Sequence, residues 1–136
     1  MKLLIFYTTK FSYKTSKKGL ETVDDISINK TTENSIVGFI QVEEKDMENS
    51  NYVETKLVKN LKWAARKNET NKIILHSFNH LSNSSAEPEF TLELFNKVEE
   101  RLNNSDYETS QTPFGYFLDI DMQAPGKPLA RIFKEF

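Results

Sequence analysis

The chain has 136 residues, the size of one ordinary domain with a core that needs no disulfide or metal. Hydrophobic residues make up 38% and charged residues 28%, as in an ordinary soluble protein, and there is no cysteine. That excludes a disulfide scaffold, a cysteine nucleophile and a thiolate metal site. The net charge of −2 argues against a classical nucleic-acid binder, so any such partner must be held by local patches.

In chain order, Lys2 to Thr8 is apolar and reads as a buried strand. Lys10 to Lys14 alternates, with Phe11 and Tyr13 against Lys10, Ser12 and Lys14, and predicts a half-buried strand. The two are expected to form a hairpin around Thr9. Residues 15 to 34 are polar with little periodicity and read as a long loop. Ser35 to Val42 is a further strand, followed by an acidic turn over Glu43 to Asn51.

The period then changes. Val53, Leu57, Leu61 and Ala64 or Ala65 share a stripe and predict a helix over Tyr52 to Lys67. Trp63, in this helix, is expected to pack rather than bind. Lys72 to His76 is another strand. Pro88 suits the first turn of a second helix, whose stripe is Phe90, Leu94, Phe95, Val98 and Leu102. Tyr107 to Phe117, broken at Pro113 and Gly115, and Leu118 to Met122 read as strand pieces. The tail from Leu129 to Phe136 packs back on the body. The order predicts a single α/β domain over 1–136, a mixed β-sheet with two helices. The run Leu3 to Tyr7 is too short for a signal segment or membrane span, so a cytoplasmic protein with no membrane contact is expected.

Three segments carry a resemblance. They are Leu3-Leu4-Ile5-Phe6 continuing to Tyr13, Phe78-Asn79-His80-Leu81-Ser82, and Pro113-Phe114-Gly115-Tyr116 followed by Gly126-Lys127-Pro128-Leu129-Ala130. Phe39-Ile40-Gln41-Val42-Glu43 fits as well. In this order they resemble the N-terminal editing domain of archaeal threonyl-tRNA synthetase, over nearly the whole chain. The resemblance implies a D-aminoacyl-tRNA deacylase-like fold and a homodimer. It implies a pocket for the aminoacylated adenosine at the tRNA 3′ end, and a possible partnership with a threonyl-tRNA synthetase catalytic chain. The implied reaction is hydrolysis of mischarged seryl-tRNA(Thr). The substrate's own ribose hydroxyl and a positioned water take much of the work, and no cofactor is expected. Editing of this kind exists because a binding site separates two such similar side chains poorly.

On the resemblance, His80 stands at the pocket histidine, and Phe39, Val42, Phe78, Asn79, Phe114, Gly115, Tyr116 and Phe117 line the substrate site. The aromatics Phe114, Tyr116 and Phe117 are candidates to stack on the terminal adenine. The sequence departs from the family at four places. Where the family continues Tyr-Lys, this chain has Phe117-Leu118, and Leu118 cannot stabilise a developing oxyanion. Where the family has Gly-His-Pro-Leu-Ala-Glu, Lys127 and Arg131 replace the histidine and the glutamate. Lys127, as a substitute catalytic group, and Arg131, as a substrate contact, are the candidates to restore the lost polarity. The alternative is a catalytically silent module that binds the tRNA end or dimerises. His76 and His80 have i,i+4 spacing, but on a strand and loop without a third ligand, so no metal is expected. Asp119 and Asp121 alternate on one face of an edge strand. Lys10, Lys14, Lys17 and Lys18, with the lysines of the first helix, are candidates for phosphate contacts.

Overall fold

The opening apolar segment does not turn back at Thr9. In the computed structural model, which describes residues 1–136, it begins one continuous strand, β1 (Lys2–Lys18). It is followed by β2 (Asn29–Gln41), α1 (Ser50–Lys67), β3 (Lys72–Ser77), α2 (Pro88–Asn103), β4 (Glu108–Gln111), β5 (Tyr116–Gln123) and β6 (Arg131–Glu135). Two 3-10 turns, Glu44–Glu48 and Pro128–Ala130, lie before α1 and before β6.

The expected hairpin fails because both halves of β1 pair with the same strand in one register, from Lys2 opposite Gln41 to Lys14 opposite Asn29. The expected loop over 15 to 34 is correspondingly too long. Thr15 to Lys18 extends β1 and Asn29 to Asn34 begins β2. These arms are rich in threonine, serine and lysine because they are largely solvated, so they lack the apolar periodicity that marks a buried strand. Side chains still join them across the ladder. The Ser12 and Thr31 hydroxyls are 2.5 Å apart, and the Ile28 N–H donates to Thr15 Oγ1 at 3.0 Å.

The strands form one mixed sheet in the order β4-β3-β2-β1-β5, with β6 also on β1. β1 pairs antiparallel with β2, β5 and β6, whereas β2–β3 and β3–β4 are parallel. Parallel neighbours need a crossover, and α1 and α2 supply the two crossovers. The helices bury their stripes on the same side of the sheet. Leu57, Leu61, Phe95 and Leu102 meet Leu3, Ile5, Ile36, Ile40, Ile73 and Leu75 in one core. The approach is close: a Cβ added at Gly38 of β2 would lie 3.1 Å from Leu61 Cδ2. Trp63 packs at the margin of this core, as expected.

A second, smaller core holds Phe11, Tyr13, Val37, Phe39 and Ile74, with Leu118 and Met122 of β5 against it. Leu3 and Ile5 enter the first core, while Phe11 and Tyr13, of the same parity, enter the second. The change falls beside Asn34, whose φ of 52° lies in the left-handed region that asparagine tolerates. The sheet thereby curls so that one strand serves two cores. The class expected from the sequence, a mixed sheet carrying two helices, is the one observed.

Leu61 is fully buried between α1 and the sheet. Leu61→Ala is expected to cost about 2–5 kcal/mol, the range for a truncated core leucine. Urea denaturation reads this directly, and a cost below about 1 kcal/mol would contradict the packing described.

Candidate functional site

β3 ends in a segment, residues 78–86, that forms no regular structure yet is held closely. Its anchor is the end of β2. The Phe78 N–H donates to the Ile40 carbonyl and the Ala86 N–H to the Val42 carbonyl, both at 2.9 Å. Between them the fully buried Gln41 uses its whole amide. Its Oε1 accepts the N–H groups of Leu81 and Ser82 at 2.7 Å, and its Nε2 donates to the carbonyls of Ser82 and Ser84 at 2.9 Å. Next to it, Glu43 accepts the Ser82 hydroxyl at 2.7 Å and the Met1 ammonium at 2.8 Å.

This segment faces Pro113 to Leu118 and Ile120 across a cavity of about 310 Å³. Gly19 and Leu20 close one side, and Pro88 and Thr91 at the start of α2 close another. The fold at Gly115 is local and strict. Its φ is +82°, and a Cβ there would come within 2.7 Å of Val23. Its carbonyl accepts the N–H groups of Gly19 and Leu20, which brings the β1–β2 connection up to the cavity. Tyr116 fixes the same connection, its hydroxyl donating to the Asp24 carbonyl and accepting the Ile26 N–H.

The lining is aromatic and uncharged. Phe78 stands edge-on to His80 at 4.9 Å between centroids and to Phe39 at 5.2 Å. His76, also in the wall, is buried and bonded through Nδ1 to Thr112 Oγ1 at 2.9 Å. Burial pushes its pKa down to about 4, so it is a neutral imidazole at physiological pH. No Lys, Arg, Asp or Glu lines the cavity. The backbone N–H groups of Asn79 and His80, two residues of the lining, meet no acceptor within the chain. The arrangement offers flat apolar surface, two imidazoles, hydroxyls and unspent backbone donors. A volume of this size suits a small organic group rather than a macromolecular surface.

Of the residues expected at the site, His80, Phe78, Asn79, Phe114, Gly115, Tyr116 and Phe117 lie together around the cavity. Four do not. Phe39 is buried behind Phe78, and Val42 belongs to the core under the helices. Lys127 and Arg131 sit elsewhere on the chain. Arg131 pairs with Phe6 on β1 and Leu118 with Thr15, nine residues further on, roughly 30 Å along the strand. Lys127 lies over the Tyr7 ring at 5.3 Å, and Arg131 donates to the Pro125 carbonyl at 2.9 Å. Leu118, in contrast, is in the wall. Sequence reasoning missed His76, Thr112 and Gln41 as site-forming residues. The available signal was a polar side chain inside an apolar strand, Gln41 in Ile36–Val42 and His76 after Ile73-Ile74-Leu75.

A family model described as the archaea-specific editing domain of threonyl-tRNA synthetase matches residues 1–136. The chain belongs to this family. Threonine–tRNA ligases of Thermococcus kodakarensis and Thermococcus gammatolerans are 31% and 30% identical to it over 135 residues, 97% of the chain. That of Methanosphaera stadtmanae is 26% identical over 134 residues. The chain spans 22% of the length of each of these relatives. Among solved structures, one titled c-Myc DNA Unwinding Element Binding Protein has a TM-score of 0.67 at 15% identity. The match covers 100% of this chain and 99% of that one, and shows a shared fold. The D-aminoacyl-tRNA deacylase-like architecture expected of an editing domain is therefore the one present. No helix in it is long and apolar enough to cross a membrane.

Two predictions follow from how the site is held. Gln41→Leu keeps the volume and strips four hydrogen bonds from the 81–84 backbone. Leaving such groups unpaired costs about 1–3 kcal/mol, and amide exchange at Leu81 and Ser82 should accelerate more than exchange in α1. Equal acceleration everywhere would mean global loosening instead. For Glu43, burial alone would raise the carboxyl, but hydrogen bonds from Met1 and Ser82 and the charges of the ammonium and Lys2 outweigh it and hold the pKa near 2. A carboxyl depressed in the folded state stabilises above its unfolded pKa, about 4.5, and loses that contribution as pH falls toward 2. Acid unfolding should therefore steepen between pH 4.5 and 2 and flatten in Glu43→Gln, as read by circular dichroism.

Proposed function

We propose that the cavity receives the aminoacylated adenosine at the 3′ end of tRNA and hydrolyses the ester of mischarged seryl-tRNA(Thr). The observation that carries this reading is the pairing of an uncharged aromatic cavity with two unspent backbone donors in a chain of the editing-domain family. Phe114, Tyr116 and Phe117 offer faces for the adenine, a contact worth about 1–3 kcal/mol per stacked base. A water oxygen attacks the ester carbonyl carbon, and the bond from that carbon to the ribose oxygen breaks. The proton released by the water passes to the His80 imidazole and on to the departing ribose oxygen. Charge building on the carbonyl oxygen is met by the N–H groups of Asn79 and His80. The products are free serine and tRNA with its ribose hydroxyl restored. No side-chain nucleophile is required, which agrees with a cavity that contains none activated by a base. The homodimer and the association with a threonyl-tRNA synthetase catalytic chain belong to the same proposal, and sedimentation of the purified chain tests the first.

One observation favours a second reading. Leu118 is in the wall, where it offers apolar atoms, and neither Lys127 nor Arg131 lies at the cavity. On that reading the chain binds the tRNA end without cleaving it. Hydrolysis of seryl-tRNA(Thr) by the purified chain separates the two, with threonyl-tRNA(Thr) as control. The expected result is release of serine that spares threonine and falls on the order of a hundredfold in His80→Ala, the loss typical of a removed general base. Leu118→Lys should raise the rate by about tenfold or more, by adding a cation beside the developing charge. No acceleration over buffer by the unmodified chain at high concentration would reject hydrolysis of this substrate.

A further inference from the structure

Two sets of basic residues differ in their surroundings, and Lys17, over the Phe117 ring at 6.0 Å, belongs to neither. On β1, Lys10, Lys14 and Lys18 are each matched by a carboxylate: Asp121 at 3.5 Å, Asp119 at 3.8 Å and Asp25 at 2.5 Å. On α1 the situation is reversed. Lys56, Lys59, Lys62 and Arg66, joined by Lys134 of β6, line an open groove of about 550 Å³, and none of the five forms an ion pair. No carboxylate lines the groove at all, in a chain whose net charge is −2.

Local contacts account for part of this: Lys62 donates to the Ser105 hydroxyl at 3.1 Å and Lys56 lies 5.9 Å from the Tyr52 ring. Arg66 lies in the last turn of α1, where the helix dipole favours a cation. Lys56, Lys59 and Lys62 stand further up the helix, where the dipole asks for none, and like charges one turn apart repel. Lys134 comes from a different element, and its ammonium lies 5.8 Å above the Trp63 ring. The cations recur every three or four residues, about 4.5–6 Å along the helix axis. Flexible lysine stems at such intervals suit a polymer of phosphates. A membrane surface would need several protruding apolar side chains beside the charges; Trp63, the one ring in the groove, is half-buried under Lys134, and a single exposed ring, Tyr52, stands beside Lys56.

We propose that this groove on α1 and β6 binds the phosphodiester backbone of RNA, at a place separate from the cavity. Its cations project from the solvent side of α1, whereas the cavity is built from the 78–86 segment, the start of α2 and β5. The proposal does not use the cavity and holds whether or not the cavity hydrolyses an ester. In combination, the uncharged cavity takes an end group and the groove takes the anionic body attached to it.

The test is fluorescence anisotropy of a labelled tRNA transcript carrying no amino acid, with the whole chain, at several salt concentrations. Lys59 and Arg66 are exposed and have no hydrogen-bonding partner of their own, so Lys59→Gln/Arg66→Gln should fold normally, as thermal melting would verify. Its affinity should fall on the order of tenfold or more, and the slope of log affinity against log salt should shrink by about 1.4–1.8 for two lost phosphate contacts. Lys59→Glu alone should weaken binding in the same direction. Lys10→Gln/Lys14→Gln, which removes the paired lysines, should change affinity by less than about twofold. Absence of binding by the unmodified chain, an unchanged slope in the groove variant, or an equal loss in the β1 variant would overturn the proposal. So would binding of polyglutamate or phosphatidylglycerol vesicles as tight as that of the transcript. Because no ester is present, failure here is distinct from failure of the hydrolysis assay.

Discussion

Both edges of β1 are filled, and the position of almost every other element follows from that. β2 runs along one edge from Lys2 to Lys14, while β6 and then β5 occupy successive lengths of the other. A buried backbone must pair its N–H and C=O groups, so three segments distant in sequence are committed to one strand. The connection between β5 and β6 has to pass Tyr7 to Thr9, where it holds the Thr9 hydroxyl through the Gln123 carbonyl. The start of β1 is tied in turn to the turn before α1. The Met1 ammonium donates to Glu43, to Asp46 at 3.1 Å and to the Phe136 carbonyl at 2.5 Å. The same Glu43 reaches Ser82. A line of contacts thus runs from the central strand to the wall of the cavity.

That line explains how a segment without regular structure can form a site. Residues 78–86 have few neighbours of their own kind to pair with, and their order comes from side chains of β2. Gln41 costs its burial and regains it by satisfying four backbone groups, which an apolar residue could not do. Gly115 does the corresponding work on the opposite wall with its backbone, in a conformation strained for any residue with a side chain. Hydrogen bonds thus set the irregular parts of the walls, beside the ends of β3, α2 and β5. The lining itself is left free of charge and largely free of internal obligations.

The fold was legible wherever burial was strong. The stripes of α1 and α2, the apolar core of β1 over Leu3 to Phe6, and the run Ile73 to Leu75 each carry the period of the element they form. The arms Thr15–Lys18 and Asn29–Asn34 were not legible, since a strand solvated on both faces has no apolar alternation to show. For the same reason β1 looked like two strands, when Thr8 and Thr9 simply mark where its buried side changes cores. Of the residues expected at the site, those contiguous with the family's segments, 78–80 and 114–117, line one cavity. Lys127 and Arg131 were expected at the site because they stand at the family's motif positions, while the register of β5 and β6 on β1 sets Arg131 and Leu118 nine positions apart along that strand. His76 was hidden by its chemistry. A histidine in a buried strand is silent in periodicity, and only its contact with Thr112 and its place in the wall give it meaning.

The distribution of charge bears on how an acidic chain could hold a polyanion. Leu118 is in the wall and Lys127 and Arg131 lie elsewhere, so no charged side chain lines the cavity, although Lys17 stands over the Phe117 ring. Attraction must then come from elsewhere on the surface. The carboxylates of β5 and of the β1–β2 connection pair with Lys10, Lys14 and Lys18 of β1 and leave Lys17 unpaired, whereas the groove on α1 gathers five unpaired cations. An uncharged cavity discriminates by fit, and a strip of unpaired lysines discriminates little but binds phosphate chains through counterion release. On the proposed reading, separating the two would let the end group be selected without competition from the much stronger pull of the phosphates. A cation inside the cavity would blur that division, because it would hold any anionic end whether or not its shape was right.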